Sequence, residues 1–157
     1  MMSNHFHMLI STPNANLSEA MNFFMRETSK EMNRISGSVN QVYGGRYSRT
    51  LIDSQLYFSS AYKYVYRNPV KAGLSETCEE YPYSTLNGVI GLGLVRVPTT
   101  EDTFLFGTGV ENTLKWLNTA PSDIDYEIFK IGLKRKILKF PRNKWAPVRH
   151  ALDKRPL

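Results

Sequence analysis

Positions 5–10 of the chain read HFHMLI, and this stretch decides the fold that the sequence predicts. The alternation of its side chains predicts a β-strand over residues 6–10, because neighbouring side chains on a strand point to opposite faces. His5 and His7 then share a face with Leu9. Two imidazoles in this arrangement could bind one divalent metal if a third ligand approaches from elsewhere in the chain.

A candidate third ligand lies further along, in the segment YVYRNPV at positions 64–70. Tyr64 and Asn68 are four residues apart and would share one face of a predicted helix. Two imidazoles and an amide oxygen would leave coordination positions for phosphate oxygens and water. Tyr64 could then attack a phosphodiester and form a phosphotyrosine. Because a phenol has a pKa near 10, Tyr64 would need nearby positive charge or a base to react, and Lys63, Arg67 and the metal are possible sources of the charge.

Each of these features also has an ordinary structural explanation. Histidine pairs on strands are more often incidental than metal-binding, and Asn68 precedes a proline, as many helix ends do. Tyr64 lies in a tyrosine-rich predicted helix, in which any one tyrosine is more readily structural than catalytic; the others are Tyr57, Tyr62 and Tyr66. Only the combination of these residues indicates metal-dependent cleavage of a phosphodiester. A hydrolytic metalloenzyme of another kind is less consistent with the sequence, which has no HExxH motif.

The composition is that of a globular protein with one domain and an appendage. The chain has 157 residues, of which 41% are hydrophobic and 22% charged. Its single cysteine, Cys78, excludes an internal disulfide framework and is typical of a reducing compartment. No apolar run approaches the roughly 20 residues that a membrane helix needs, and no signal peptide is visible. We therefore expect a cytoplasmic protein with no membrane partner.

The charge favours a polyanionic partner. The net charge is +6 and the pI is near 9.5. Residues 130–157 hold ten Lys or Arg against one acid, Asp153, and Phe140 and Trp145 lie among them as possible stacking groups. The alternative to nucleic-acid contact is a solvated basic tail with no partner. Arg46 and Arg49 could likewise be solvated surface arginines that do not contact a phosphate backbone. The candidate DNA contacts are Arg46, Arg49, Lys63, Arg67, Lys134, Arg135, Lys136, Arg142, Lys144 and Trp145.

Apolar residues at intervals of three or four predict an amphipathic helix from residue 17 to about Gly37. Asn16 would cap this helix, with Glu19 as its capping-box partner. A second helix would begin after Asp53 or Ser54 and run to about Asn68, where Pro69 would end it. The other predicted elements before residue 100 are a turn or bulged strand at 42–47, a strand at 48–52, a connector at 73–82 and a loop or weak strand at 88–100. Two further helices are predicted at 108–117 and 123–139. Four residues would form the apolar side of the last helix: Ile124, Ile128, Ile131 and Leu138.

Four segments together resemble the motifs of the HUH single-tyrosine transposases. They are MSNHFHMLI at 2–10, YGGRY at 43–47, YVYRNPVKAGL at 64–74 and YPYST at 81–85. Their order and spacing also agree, most closely with the REP-associated tyrosine transposases of bacteria. The resemblance covers about residues 2–90.

The resemblance implies a metal site at His5, His7 and Asn68, occupied by Mg²⁺ or Mn²⁺, with Tyr64 as the nucleophile. It implies a substrate of single-stranded DNA with hairpins, of the REP-like or transposon-end kind. The tyrosine would join the 5′-phosphate of the cut strand and release a 3′-hydroxyl, so that strand transfer needs no ATP. The protein would then be a nucleoid-associated DNA endonuclease and strand transferase.

The fold that the resemblance implies is α+β, with an antiparallel sheet that carries the HUH motif and helices packed on it, as in ferredoxin-like and RRM-like transposase domains. Residues 1–90 would form this catalytic domain, and residues 91–157 a basic, mostly helical C-terminal extension. The family places a first strand and a helix before the HUH strand, and we expect this chain to lack them. The open sheet would expose unpaired edges, which dimerisation could cover. The alternative is a catalytically inactive remnant that still binds DNA.

Overall fold

The computed structural model describes residues 5–95, 99–107, 109–140 and 151–157. Within these ranges the chain forms six α-helices and a short 3-10 turn at Ala151–Asp153. The helices are α1 (Leu17–Ser36), α2 (Gln55–Lys71), α3 (Thr85–Val89), α4 (Thr103–Gly107), α5 (Val110–Asn118) and α6 (Asp123–Gly132). They fall into two compact units, one from the described residues of 1–9 and 50–157 and one from residues 10–49. The predicted division at residue 90 stays a prediction.

The prediction of an α+β fold with an antiparallel sheet is wrong. The described ranges contain no strand, and their only β-type pairing is one parallel bridge between Leu51 and Ile137. A strand needs a neighbour that takes up its backbone hydrogen bonds along its length. Residues 5–10 and 48–52 find no such neighbour in this part of the chain, so their alternating pattern does not become a sheet.

The prediction for α1 is confirmed. The helix ends where Gly37 adopts the left-handed conformation, with φ of 65°, and donates its N–H to the carbonyl of Asn33. Asn16 occupies the N-cap position but makes no capping hydrogen bond through its side chain. The expected capping box with Glu19 therefore does not form. Met21 is the buried residue of this helix.

The helix α2 begins as predicted and ends later than predicted. The side chain of Ser54 accepts a hydrogen bond of 3.2 Å from the N–H of Tyr57 and so caps the helix. Pro69 lies inside the helix, which runs on to Lys71. Proline removes only its own N–H, and the next turn still closes because Ala72 donates to the Asn68 carbonyl at 3.0 Å.

The larger unit is built around α2, which is buried on two sides. On one side Ala61 and Tyr64 belong to a hydrophobic cluster, the C-terminal core, whose other buried members are Tyr126, Phe129, Leu138, Phe140, Leu152 and Leu157. On the other side Tyr62 belongs to a second cluster, the α5 core, whose other buried members are Cys78, Leu86, Leu105 and Leu117. Fully burying a leucine or phenylalanine side chain contributes about 1.5–3 kcal/mol. These two cores therefore fix α2 between the C-terminal residues and α3–α5.

The two helices predicted after residue 100 are both shorter or shifted. The expected helix at 108–117 is α5 at Val110–Asn118, and the one at 123–139 ends at Gly132. Beyond it the chain returns along residue 51, where the N–H of Leu138 donates to the Leu51 carbonyl at 2.9 Å. A Cβ atom at Gly132 would lie 3.0 Å from a methyl carbon of Leu138, so the glycine permits this close approach. Ile124 and Ile131, expected on the apolar side, are exposed.

Replacing Phe129 by alanine should destabilise the protein by about 3–5 kcal/mol, because it leaves a cavity in the C-terminal core. Phe129 is 0% exposed, whereas Phe106, which is 49% exposed, provides a matched control. Phe106→Ala should cost less than about 1 kcal/mol. Urea unfolding of the two variants gives the comparison, and equal losses would contradict the assigned core.

Candidate active site

Three of the four residues predicted for the site come together. The rings of His5 and His7 lie edge to face with centroids 5.1 Å apart, and the ring of His7 lies edge to face with Tyr64 at 5.5 Å. Both imidazoles retain solvent-exposed surface. The histidine segment and α2 belong to the same compact unit, so their contact is part of its packing.

Asn68, the predicted third metal ligand, lies one turn beyond Tyr64 on α2 and is half-buried. Among the described residues its carboxamide makes no hydrogen bond with His7. The described residues also contain no group of three or more His, Cys, Asp or Glu side chains that could bind a metal ion. These residues fit a divalent metal only in part. The two imidazoles are adjacent, but among the described residues no hydrogen bond links the Asn68 carboxamide with His7.

The phenol of Tyr64 is buried in the C-terminal core. Its side chain is 7% exposed, and its ring stacks on Tyr126 with centroids 5.1 Å apart and an angle of 29° between the planes. Phe129 lies 5.4 Å away. Burial raises the pKa of Tyr64, and hydrogen bonding with the hydroxyl of Tyr126 acts in the opposite direction. A nucleophile needs its ionised form and access to phosphorus, so Tyr64 must move relative to this packing before it can react.

Tyr126, on α6, is a site residue that the sequence did not indicate. Besides stacking on Tyr64, its ring lies 5.3 Å from the ammonium of Lys71, which is ion-paired with Asp123. Burial raises the pKa of Tyr126, so its hydroxyl stays protonated at neutral pH. The only signal in the sequence was the position of Tyr126 in a predicted helix. Nothing connected that helix with Tyr64.

The surroundings of His7 favour its neutral form. Neighbouring atoms partly desolvate its ring, and this effect, together with the adjacent His5, lowers the pKa of His7. A neutral imidazole keeps a lone pair that can bind a metal or accept a hydrogen bond. The arrangement therefore suits a ligand or acceptor better than a cation that binds phosphate.

Lys63 and Arg67 are buried, which argues against their predicted contacts with DNA. The ammonium of Lys63 lies 4.9 Å from the centre of the Trp116 ring. The guanidinium of Arg67 donates a 2.9 Å hydrogen bond to the carbonyl of Leu117. Desolvation by burial lowers the pKa of Lys63 to about 8, with a smaller contribution from the charge of Arg67. Both side chains fasten α5 to α2.

The other predicted DNA contacts fall into three groups. Arg46 and Arg49 are exposed in the unit of residues 10–49. Lys134, Arg135 and Lys136 are exposed in the turn after α6, where the Thr50 hydroxyl donates 2.7 Å to the Arg135 carbonyl. Arg142, Lys144 and Trp145 lie outside the described residues. Phe140, expected as a stacking group for bases, is 4% exposed and belongs to the C-terminal core instead.

Comparisons with protein-family models, with curated proteins and with solved structures gave no match to this chain. The resemblance to single-tyrosine transposases therefore depends on the motifs alone. Of the helices described here, none combines the length and the apolar character needed to cross a membrane.

Replacing Lys63 by methionine should alter the pH dependence of stability. Below pH 8 the folded and unfolded chains both hold the Lys63 proton, and the cost of burying the charge is fully present. From about pH 8 to the ordinary lysine value of 10.5 the folded chain has released this proton and the unfolded chain has not, so the free energy of unfolding rises with pH. Relative to wild type, Lys63→Met should therefore be most favourable at pH 7 and less so by pH 9.

Urea unfolding at pH 7, 8 and 9 measures this difference. Lys115→Met, at an exposed lysine of α5, is the matched control and should show a constant difference from wild type. A pH-independent difference for Lys63→Met would show that the ammonium is not desolvated.

Proposed function

We propose that this protein cleaves and rejoins single-stranded DNA through a covalent link to Tyr64, in the manner of the single-tyrosine transposases. One observation carries the proposal, the 5.5 Å contact between the rings of His7 and Tyr64. These residues come from distant motifs that the resemblance assigns to a single active site. The order of the motifs along the chain adds support.

The chemistry would proceed in two balanced steps. The phenolic oxygen of Tyr64 attacks phosphorus, the bond from phosphorus to the 3′-oxygen breaks, and the phenol loses a proton to solvent while the leaving 3′-oxygen takes one up. The phosphotyrosine keeps the energy of the broken bond. A 3′-hydroxyl from another strand then attacks the same phosphorus and loses its proton to solvent. The bond from phosphorus to the Tyr64 oxygen breaks, the phenol takes up a proton, and a phosphodiester is restored without ATP.

The proposal includes Mg²⁺ or Mn²⁺ as the metal. His5 and His7 would hold it, with Asn68 as the third ligand once its carboxamide turns towards them. The ion would supply positive charge beside the phosphate oxygens. Tyr64 provides the attacking oxygen, and Tyr126 holds the phenol in place before DNA binds.

The DNA partner would be a single strand with hairpins, of the REP-like or transposon-end kind. The exposed turn at Lys134, Arg135 and Lys136 supports this partner, because three adjacent cations can contact a phosphate backbone. A location at the bacterial nucleoid follows from the same partner. A homodimer, which could cover the exposed apolar side chains, is also part of the proposal.

A second candidate function is DNA binding without cleavage. The burial of Tyr64 favours it, since a phenol that is 7% exposed and has a raised pKa is a poor nucleophile. Under this alternative the basic residues bind DNA, and the paired histidines are not needed.

The covalent adduct decides between the two functions. Wild-type protein incubated with a labelled hairpin oligonucleotide and Mn²⁺ or Mg²⁺ should give an adduct on a denaturing gel, and Tyr64→Phe should reduce it at least about 100-fold, because phenylalanine has no attacking oxygen. Tyr66→Phe is the matched control on the same helix. Its hydroxyl contacts Thr85 at 3.1 Å and its ring packs against the α5 core, so the adduct should persist.

An undiminished adduct with Tyr64→Phe would contradict the assignment of the nucleophile. Binding that survives a chelator and His5→Ala, with no adduct under any condition, would select DNA binding without cleavage.

A further inference from the structure

The unit of residues 10–49 contains a cleft that the proposed chemistry does not use. The cleft has a volume of about 650 Å³ and lies between α1 and residues 40–49. The α1 wall comes from one face of the helix, at positions 18, 22, 25, 26 and 29, which recur at intervals of about one turn. All lining residues belong to this one unit.

Hydrogen bonds along α1 hold the two walls of the cleft together. The hydroxyls of Thr28 and Tyr43 are 2.7 Å apart, and those of Ser18 and Tyr47 are 3.3 Å apart. Towards the end of the helix, the carboxamide of Asn33 donates a 3.0 Å hydrogen bond to the carbonyl of Asn40. Because these bonds are spread over the helix, the loop is attached at several points and the cleft is formed in advance of any ligand.

The charge of the cleft favours an anion. Arg26, Arg46 and Arg49 line it, and no Asp or Glu does. Arg26 is ion-paired with Glu27 at 2.8 Å, whereas Arg46 and Arg49 make no ion pair within the described ranges. A guanidinium presents a planar fork of donors that matches the oxygens of a phosphate. Because Arg46 and Arg49 lie on one wall without an ion pair among the described residues, they suit a ligand with successive phosphates better than a ligand with a single carboxylate.

The other lining groups suit nucleobases. Tyr43 and Tyr47 contribute aromatic rings whose hydroxyls are bonded to α1, and aromatic rings are the usual stacking surfaces for unpaired bases. Asn22 and Gln41 add amide groups that can bond base edges. The volume falls within the about 300–1,000 Å³ of ordinary ligand sites. It is large enough for a short stretch of an extended strand.

We propose that this cleft binds a short segment of single-stranded DNA, with its phosphates on Arg46 and Arg49 and its bases against Tyr43 and Tyr47. The inference deepens the proposed function and rests on it for the nature of the strand. Part of that strand would lie in the cleft, whose lining residues do not include Tyr64.

The test measures the binding of a fluorescein-labelled oligothymidylate of about ten nucleotides to the full chain. Fluorescence anisotropy gives the affinity over a range of salt concentrations. The double variant Arg46→Ala/Arg49→Ala should weaken binding at least about 10-fold and lower the slope of log K against log salt by about 1.4, for two lost phosphate contacts on a single strand. Tyr47→Leu should weaken binding about 5-fold or more through lost stacking.

The charge-matched control is Lys30→Ala/Arg34→Ala. It also removes two cations from this unit, but they are paired with Glu27 and Glu31 and do not line the cleft. Binding should stay within about twofold of wild type. Equal losses in the two double variants would show that only net charge matters and would overturn the inference, as would displacement of the oligonucleotide by an equimolar amount of inorganic phosphate.

The outcomes separate this inference from the proposed function. Cleft-dependent binding without a Tyr64 adduct would support the cleft and remove the catalytic proposal. A Tyr64 adduct, together with unchanged oligonucleotide binding by Arg46→Ala/Arg49→Ala, would support the catalytic proposal and overturn the inference about the cleft.

Discussion

Burial of α2 on two sides is the constraint on which the rest of the larger unit depends. Tyr62 and Tyr64 are two positions apart on a helix with 3.6 residues per turn, so they point to opposite sides. One enters the α5 core and the other the C-terminal core. Ser60 adds a polar link, since its hydroxyl accepts a 3.2 Å hydrogen bond from the N–H of Leu157. A helix packed in this way can rotate little, and the position of Tyr64 next to His7 follows.

The same packing opposes the chemistry proposed for Tyr64. Desolvation raises the pKa of the Tyr64 phenol, and the Tyr126 ring stacks against it. The nucleophile of a phosphodiester cleavage, in contrast, must be ionised and accessible. If Tyr64 reacts, the cost of separating it from Tyr126 must come from the binding of DNA.

Residues after position 90 contribute to the core around Tyr64. Phe129, Leu152 and Leu157 form much of the core against which Tyr64 packs, and Tyr126 touches it directly. The basic character of residues 130–157 concealed this role. In the described parts of this segment, 130–140 and 151–157, the lysines and arginines are exposed while Leu138, Phe140, Leu152 and Leu157 enter the core. Phe140 illustrates the point, since its place among lysines and arginines favoured a surface residue and its side chain is buried.

The sequence by itself determined the local features, namely the start and end of α1, the start of α2 near Asp53 and Ser54, and the existence of helices near 110 and 123. Each depends on residues within a turn or two of one another. Only the tertiary structure decided that residues 5–10 pair with no strand in the described part of the chain, that α6 ends at Gly132 and that Lys63 and Arg67 face α5. It also brought Tyr126 to Tyr64. These outcomes depend on contacts between segments far apart in the chain, and hydrophobic periodicity records which face of an element is buried but not what covers it.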